Sequence, residues 1–132
     1  MAIQQSDAQR NARLDAIAST WGASPKFRLY SGTPPADESA ALSGNTLLAE
    51  VTLTPAASSA GTKNFLGSAQ NTTGAAAGIA TFYRVYNSAG STCHEQGSVT
   101  LTAGGGDATI DNTNIAQGQP VSVTGFTKTE PG

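Results

Sequence analysis

The chain has 132 residues, with 7 basic against 9 acidic side chains, one cysteine and one histidine, and it contains no apolar run near the ~18 residues that span a bilayer as a helix. At this length one domain removes roughly two-thirds of its unfolded surface from water, and a charged fraction of 12%, against about 25% in an average soluble chain, excludes both a solvated helical bundle and charge-driven disorder. A net charge of −2 lacks the clustered Lys and Arg on which affinity for phosphate backbones rests, so neither nucleic acid nor a membrane is an expected partner.

Ala, Thr, Ser and Gly make up 67 of the 132 residues; large core formers are few, and the surface is expected to be mostly Ser, Thr, Asn and Gln. The first residues lack the basic-then-apolar order of a secretory signal, and one cysteine makes no internal disulfide, so synthesis in a cytoplasm is expected.

The first element is a helix predicted over 7–20. Leu14, Ile17, Ala18 and Trp21 recur at helical spacing, Ser6 and Gln9 have capping-box spacing, and Gly22 stands where helices commonly stop. Such a helix is too short and too weakly apolar to be stable alone, so its stripe must be covered. Two placements compete: a lid on the domain's own sheet, or an arm docked on a neighbouring subunit, with Arg10 and Arg13 as rim charges. Leu14, Ile17 and Trp21 are the helix's candidate partner contacts.

After Pro25 the hydrophobic period changes to 2. Strands are predicted over 26–31, 47–54, 63–67, 79–87, 92–96, 98–102, 107–111 and 119–128. In the second, Leu47, Ala49, Val51 and Leu53 are expected inward and Leu48 outward. Asn87-Ser88-Ala89-Gly90 reads as a hairpin turn, and the small-residue tracts 55–61 and 68–78 read as loops. Eight short strands without intervening helices exclude a parallel α/β sheet and predict an all-β fold, an antiparallel β-sandwich of the jelly-roll kind with one N-terminal α-helix. The arm and helix occupy 1–24 and the sandwich 25–132, as one structural domain.

Catalytic chemistry lacks parts. His94 and its neighbour Cys93 project to opposite faces of a strand and supply neither a nucleophile–base pair nor a metal site. Gly104-Gly105-Gly106-Asp107 with Asp111 and Asn112 lacks the ligand spacing of a helical calcium loop and the lysine of a phosphate loop. The expectation is no enzyme and no metal or other cofactor. Arg28 with Tyr30, and Arg84 with Tyr86, repeat one pattern, an arginine and a tyrosine two apart on one strand face. Either the guanidinium lies over a ring on the adjacent strand, or these four residues form a partner surface, since Arg and Tyr are enriched where proteins meet.

The order of motifs, from Trp21 through Phe27-Arg28-Leu29-Tyr30-Ser31-Gly32-Thr33-Pro34-Pro35, Leu47-Leu48-Ala49 and the run from Gly74 to Val85 to Ile115-Ala116-Gln117-Gly118-Gln119, resembles that of small head decoration or cement proteins of tailed bacteriophages. The resemblance implies a jelly-roll β-sandwich bound to the capsid exterior of the virion. It further implies contact with the major capsid protein of a phage head and a homodimer or other self-contact on the shell. It carries no catalytic residues. A tail or baseplate adaptor and a carbohydrate-binding β-sandwich are the alternatives; the latter would display aromatics such as Trp21 or Tyr83.

Overall fold

Ser6 starts the helix, as its spacing predicts. In the computed structural model, which describes residues 3–66 and 71–130, α1 (Asp7–Trp21) begins with the Ser6 hydroxyl accepting the Gln9 N–H at 3.2 Å. Gln9 does not return the bond; its side chain donates to Gln5, so only half of the capping box forms. Gly22 ends the helix at φ +95°, its N–H donating to Ala18 O at 3.0 Å. A Cβ there would collide with the Ser88 hydroxyl, which makes glycine necessary for both backbone and space.

The remaining elements are strands: β1 (Lys26–Ser31), β2 (Leu47–Thr52), β3 (Thr62–Asn64), β4 (Asn71–Thr73), β5 (Gly78–Tyr86), β6 (Cys93–Leu101), β7 (Ala108–Ile110), β8 (Asn114–Ile115), β9 (Pro120–Gly125) and β10 (Thr127–Thr129). One sheet runs β2-β1-β5-β6-β7-β9-β4, with β8 beside β5; β3 and β10 form a separate ribbon. The long sheet curls until its ends nearly meet. The Thr72 hydroxyl, in the middle of β4, donates to Glu50 O at 2.8 Å, and Ala75 N–H, beyond the β4 end, to Leu48 O at 2.7 Å, which ties β4 back to β2. The molecule is therefore all-β with one helix, a sandwich- or barrel-like layer made by one sheet folding over itself.

Several expectations change. The tracts 92–96 and 98–102 form one strand through Gly97, and 119–128 divides at Phe126 into β9 and β10. The tract 68–78 is not wholly loop: β4 lies in it, paired with β9, while residues 68–70 lie outside the described residues, as does Gly67 at the end of the third predicted strand. Leu47 is 37% exposed and Leu48 buried, the reverse of the predicted facing. The cause is a bulge: Leu29 pairs with Ala49 and Tyr30 with Leu47, so Leu48 is the extra residue and turns inward.

Among the described residues every strand pairing is antiparallel except β6 with β7. Parallel neighbours usually need a long crossover; here the return takes only residues 102–107, because β7 pairs with just three residues of β6. Gly104 and Gly106 press on Thr100, where a Cβ would stand 2.7 and 2.9 Å from its side chain, and Gly106 N–H donates to the Thr100 hydroxyl at 3.0 Å. That close approach accounts for Gly104 and Gly106, and the left-handed backbone, φ +84°, for Gly105 between them.

Inside the curl, α1 and the inward strand faces share one core. Leu14 and Trp21 are buried with Phe27, Phe65, Tyr83 and Phe126, and Ile17 and Ala18 pack against them. Trp21 stacks on Phe126 with centroids 6.1 Å apart and tilts over Phe65 at 4.9 Å. Burial of each large side chain of this kind is worth about 1.5–3 kcal/mol, so the helix is the lid of the barrel and a structural part of it.

Candidate interaction surface

The outer face of β2-β1-β5-β6 carries three cross-strand rows, set by register. Glu50, Arg28, Arg84 and Gln96 lie in line across the four strands; Leu47, Tyr30, Phe82 and Ser98 form the row on one side; Thr52, Lys26, Tyr86 and Cys93 form the row on the other. The sequence pattern Arg-x-Tyr on β1 and β5 thus places both arginines directly opposite each other. Arg28 donates to Glu50 at 2.6 Å and lies over the Tyr86 ring at 4.4 Å. This is the intrachain reading of the arginine–tyrosine pattern.

Arg84 is 4% exposed. Its Nε donates to Gln96 Oε1 at 2.9 Å, and its second guanidinium nitrogen donates to the carbonyls of Asp37 at 3.1 Å and Ala40 at 2.7 Å. Gln96 in turn donates to Pro35 O at 2.9 Å. These bonds fasten the 32–46 loop over the outer face. Within the loop Asp37 accepts from Ser39 N–H and Oγ and from Ala40 N–H, which holds its carboxyl below the usual range. Tyr30 and Phe82, stacked with centroids 5.5 Å apart, are buried yet lie outside the main core, a second small apolar cluster on the outer face. Burial, then a hydrogen bond to Tyr86, pushes the Tyr30 hydroxyl up to about 12.

The helix candidates divide. Leu14 and Trp21 are spent on the core, which removes them from any partner surface, and Ile17 is half-buried against it. Arg10 donates to Glu130 O at 2.9 Å and pairs with Asp7. It also lies against Gly61, where any Cβ would strike the guanidinium. Arg13 bridges Gln5 and the Glu130 carboxylate. Asn11 accepts the Gly61 N–H at 2.9 Å, and Asp15 receives Lys63 at 3.2 Å. The helix's polar side is therefore stapled to the β3–β10 ribbon, and Arg10 and Arg13 are clamps rather than free rim charges.

Lys63 is 6% exposed and donates also to Ala56 O at 2.7 Å, so its buried charge is satisfied. Lys26 donates to Thr52 at 3.0 Å and Lys128 to Glu95 at 2.5 Å. With these, each of the chain's 7 basic residues has a partner within the chain. Sequence spacing did not reveal this, because Arg10, Arg13, Lys63 and Lys128 all find partners far along the chain.

Asp107 accepts Ser98 N–H and Oγ, and Asp111 accepts Ser122 N–H at 3.1 Å; these carboxylates serve as loop and strand caps. Cys93 is half-buried, and burial pushes its thiol up. Trp21 and Tyr83 are 3% and 2% exposed, which leaves a carbohydrate-binding reading without its aromatic platform. Among the described residues, the large apolar side chains that do reach the surface are Ile3, Leu47, Ile79 and Leu101, at 83%, 37%, 59% and 50% exposure. No protein-family model, curated protein or solved structure matches the chain.

Proposed function

We propose that the chain is a structural binding module, a decoration or cement protein on the outside of a phage head that adds contacts between neighbouring major capsid subunits and catalyses no reaction. The motif order supports the phage assignment. The observation that carries the binding-module reading is the internal use of every basic residue, which leaves a Ser/Thr-rich exterior dotted with Leu47, Ile79 and Leu101. Such a surface attaches by shape, apolar contact and backbone hydrogen bonds rather than by electrostatic capture. A protein that binds assembled shell and not dissociated subunits stabilises the shell by mass action, and many copies multiply a modest interface.

The test is co-sedimentation of the purified protein with intact heads and, separately, with isolated tails. Saturable binding to heads alone is the expected result. Binding to tails alone replaces the reading with a tail or baseplate adaptor, and binding to neither overturns it.

A further inference from the structure

Between β6 and β10 lies a cleft of about 450 Å³ whose two walls are strand edges. On the β6 side, Ser98 N–H points away from β5 to the Asp107 carboxylate, at 3.0 Å. Alternate residues of an antiparallel strand send their backbone groups to the same edge, so Gln96 presents its N–H and C=O toward the cleft. β7 occupies that edge only from Val99 onward. On the β10 side, Phe65 N–H donates to Phe126 O and Glu130 N–H to Gly61 O; the same alternation turns the backbone groups of Thr127 and Thr129 away from β3. Among the described residues no backbone hydrogen bond reaches Gln96, Thr127 or Thr129 from the cleft side.

The charges in the cleft select the occupant. Glu95 is shared by Lys128 and the Tyr83 hydroxyl, and Glu130 is held by Arg13. Asp107 takes the N–H and hydroxyl of Ser98 and, among the described residues, pairs with no cation. One negative charge is thus left over beside two unpaired strand edges. A second copy of this chain is a poor donor of the missing cation: five of its basic residues pair with carboxylates, Arg84 is buried, and Lys26 donates to the Thr52 hydroxyl. Strand addition to an open edge is a general mode of peptide capture, with the backbone supplying affinity and the side chains specificity.

We propose that this cleft docks an extended segment of a different protein, which adds as a β-strand along β6 and β10 and places a basic side chain beside Asp107. The inference does not depend on the decoration reading: a shell protein is one possible source of the segment, and the test uses no phage component.

The probe is a capped peptide, Thr-Val-Thr-Lys-Val-Thr-Val, added at about 1 mM to the isotopically labelled full chain, with amide exchange followed residue by residue. Companion peptides carry Glu in place of Lys, or N-methyl groups at alternate positions. The expected result is slowed exchange at Gln96, Thr127 and Thr129 with the lysine peptide, binding about tenfold weaker with the glutamate peptide, and none with the methylated one. No slowing at these amides, or equal binding of the methylated peptide, overturns the proposal. Protection that rises with protein concentration before peptide is added also overturns it, in favour of a second copy.

Discussion

Arg28 and Arg84 stand directly opposite each other on β1 and β5, two cations in the position where like charges repel most strongly across a sheet. Each is drawn outward. Arg28 is held by Glu50 and the Tyr86 ring, and Arg84 by Gln96 and two loop carbonyls. The repulsion is thereby turned into a brace that runs across four strands and fastens the loop above them.

Glu50→Gln removes the counterion on one side of that brace. The pair is partly exposed, so the expected loss is about 1 kcal/mol, a fall in Tm of about 3 °C for a domain of this size. Added salt should shrink the loss by screening the two arginines. Thermal unfolding at low and high salt checks it; a variant as stable as the parent at low salt contradicts the brace.

Arg84→Met keeps the side-chain bulk and removes the donors to Asp37 and Ala40. The 32–46 loop should then open, and cleavage by a protease of broad specificity between residues 33 and 46 should accelerate by about tenfold or more, while β1 and β5 keep their slow amide exchange. Hydrogen bonds from a charged donor are worth about 1.5–3 kcal/mol, which sets the scale of the loss. An unchanged cleavage pattern would mean that the loop is held by its own packing.

Trp21→Ala should cost about 3–5 kcal/mol by opening a cavity between Phe65 and Phe126, and deletion of residues 7–21 should abolish cooperative unfolding. Ile3→Ser, at a side chain 83% exposed, should leave stability unchanged. These unfolding measurements separate a helix that completes the barrel from one held ready for a neighbour. A deletion variant that still unfolds cooperatively near the parent's Tm would restore the arm reading.

The helix was legible because its stripe, cap and terminating glycine agree with one another, and β1 because Phe27 and Leu29 alternate with polar neighbours between Pro25 and Gly32. The facing of Leu47 and Leu48 was hidden, since a bulge is set by the partner strand and not by the strand's own period. β4 was hidden as well: Asn71-Thr72-Thr73 has no apolar alternation and is a strand because β9 pairs with its backbone and Glu50 O of β2 accepts the Thr72 hydroxyl. The Arg28–Tyr86 contact was one of two readings open in the sequence. That Arg84 fastens the 32–46 loop was not, because its acceptors are carbonyls, which every residue has.

Tyr30 and Tyr83 should remain protonated in the folded protein at a pH where an ordinary tyrosine has ionised. Burial raises both, Tyr30 from 10.0 to about 12, while in Tyr83 the nearby Glu95 carboxylate adds to the effect of burial. A raised value for an acid means that folding favours the neutral form. This contribution to stability is complete below pH 10 and declines as the pH rises from there toward 12. Absorbance titration of tyrosinate should show delayed ionisation coincident with unfolding, and Tyr30→Phe should lessen the alkaline loss of stability. Ionisation of all three tyrosines near pH 10 with the fold intact would contradict the buried environments of both.

The measurement that bears most directly on the proposed role is the thermal disruption of phage heads stripped of decoration, heated with increasing amounts of the purified protein. A rise in the disruption temperature that saturates with occupancy is expected, about 2.7 kcal/mol per site at a free concentration 100 times Kd. It should persist in high salt because attachment does not depend on exposed cations. Heads that disrupt at the same temperature at every protein concentration would contradict the account.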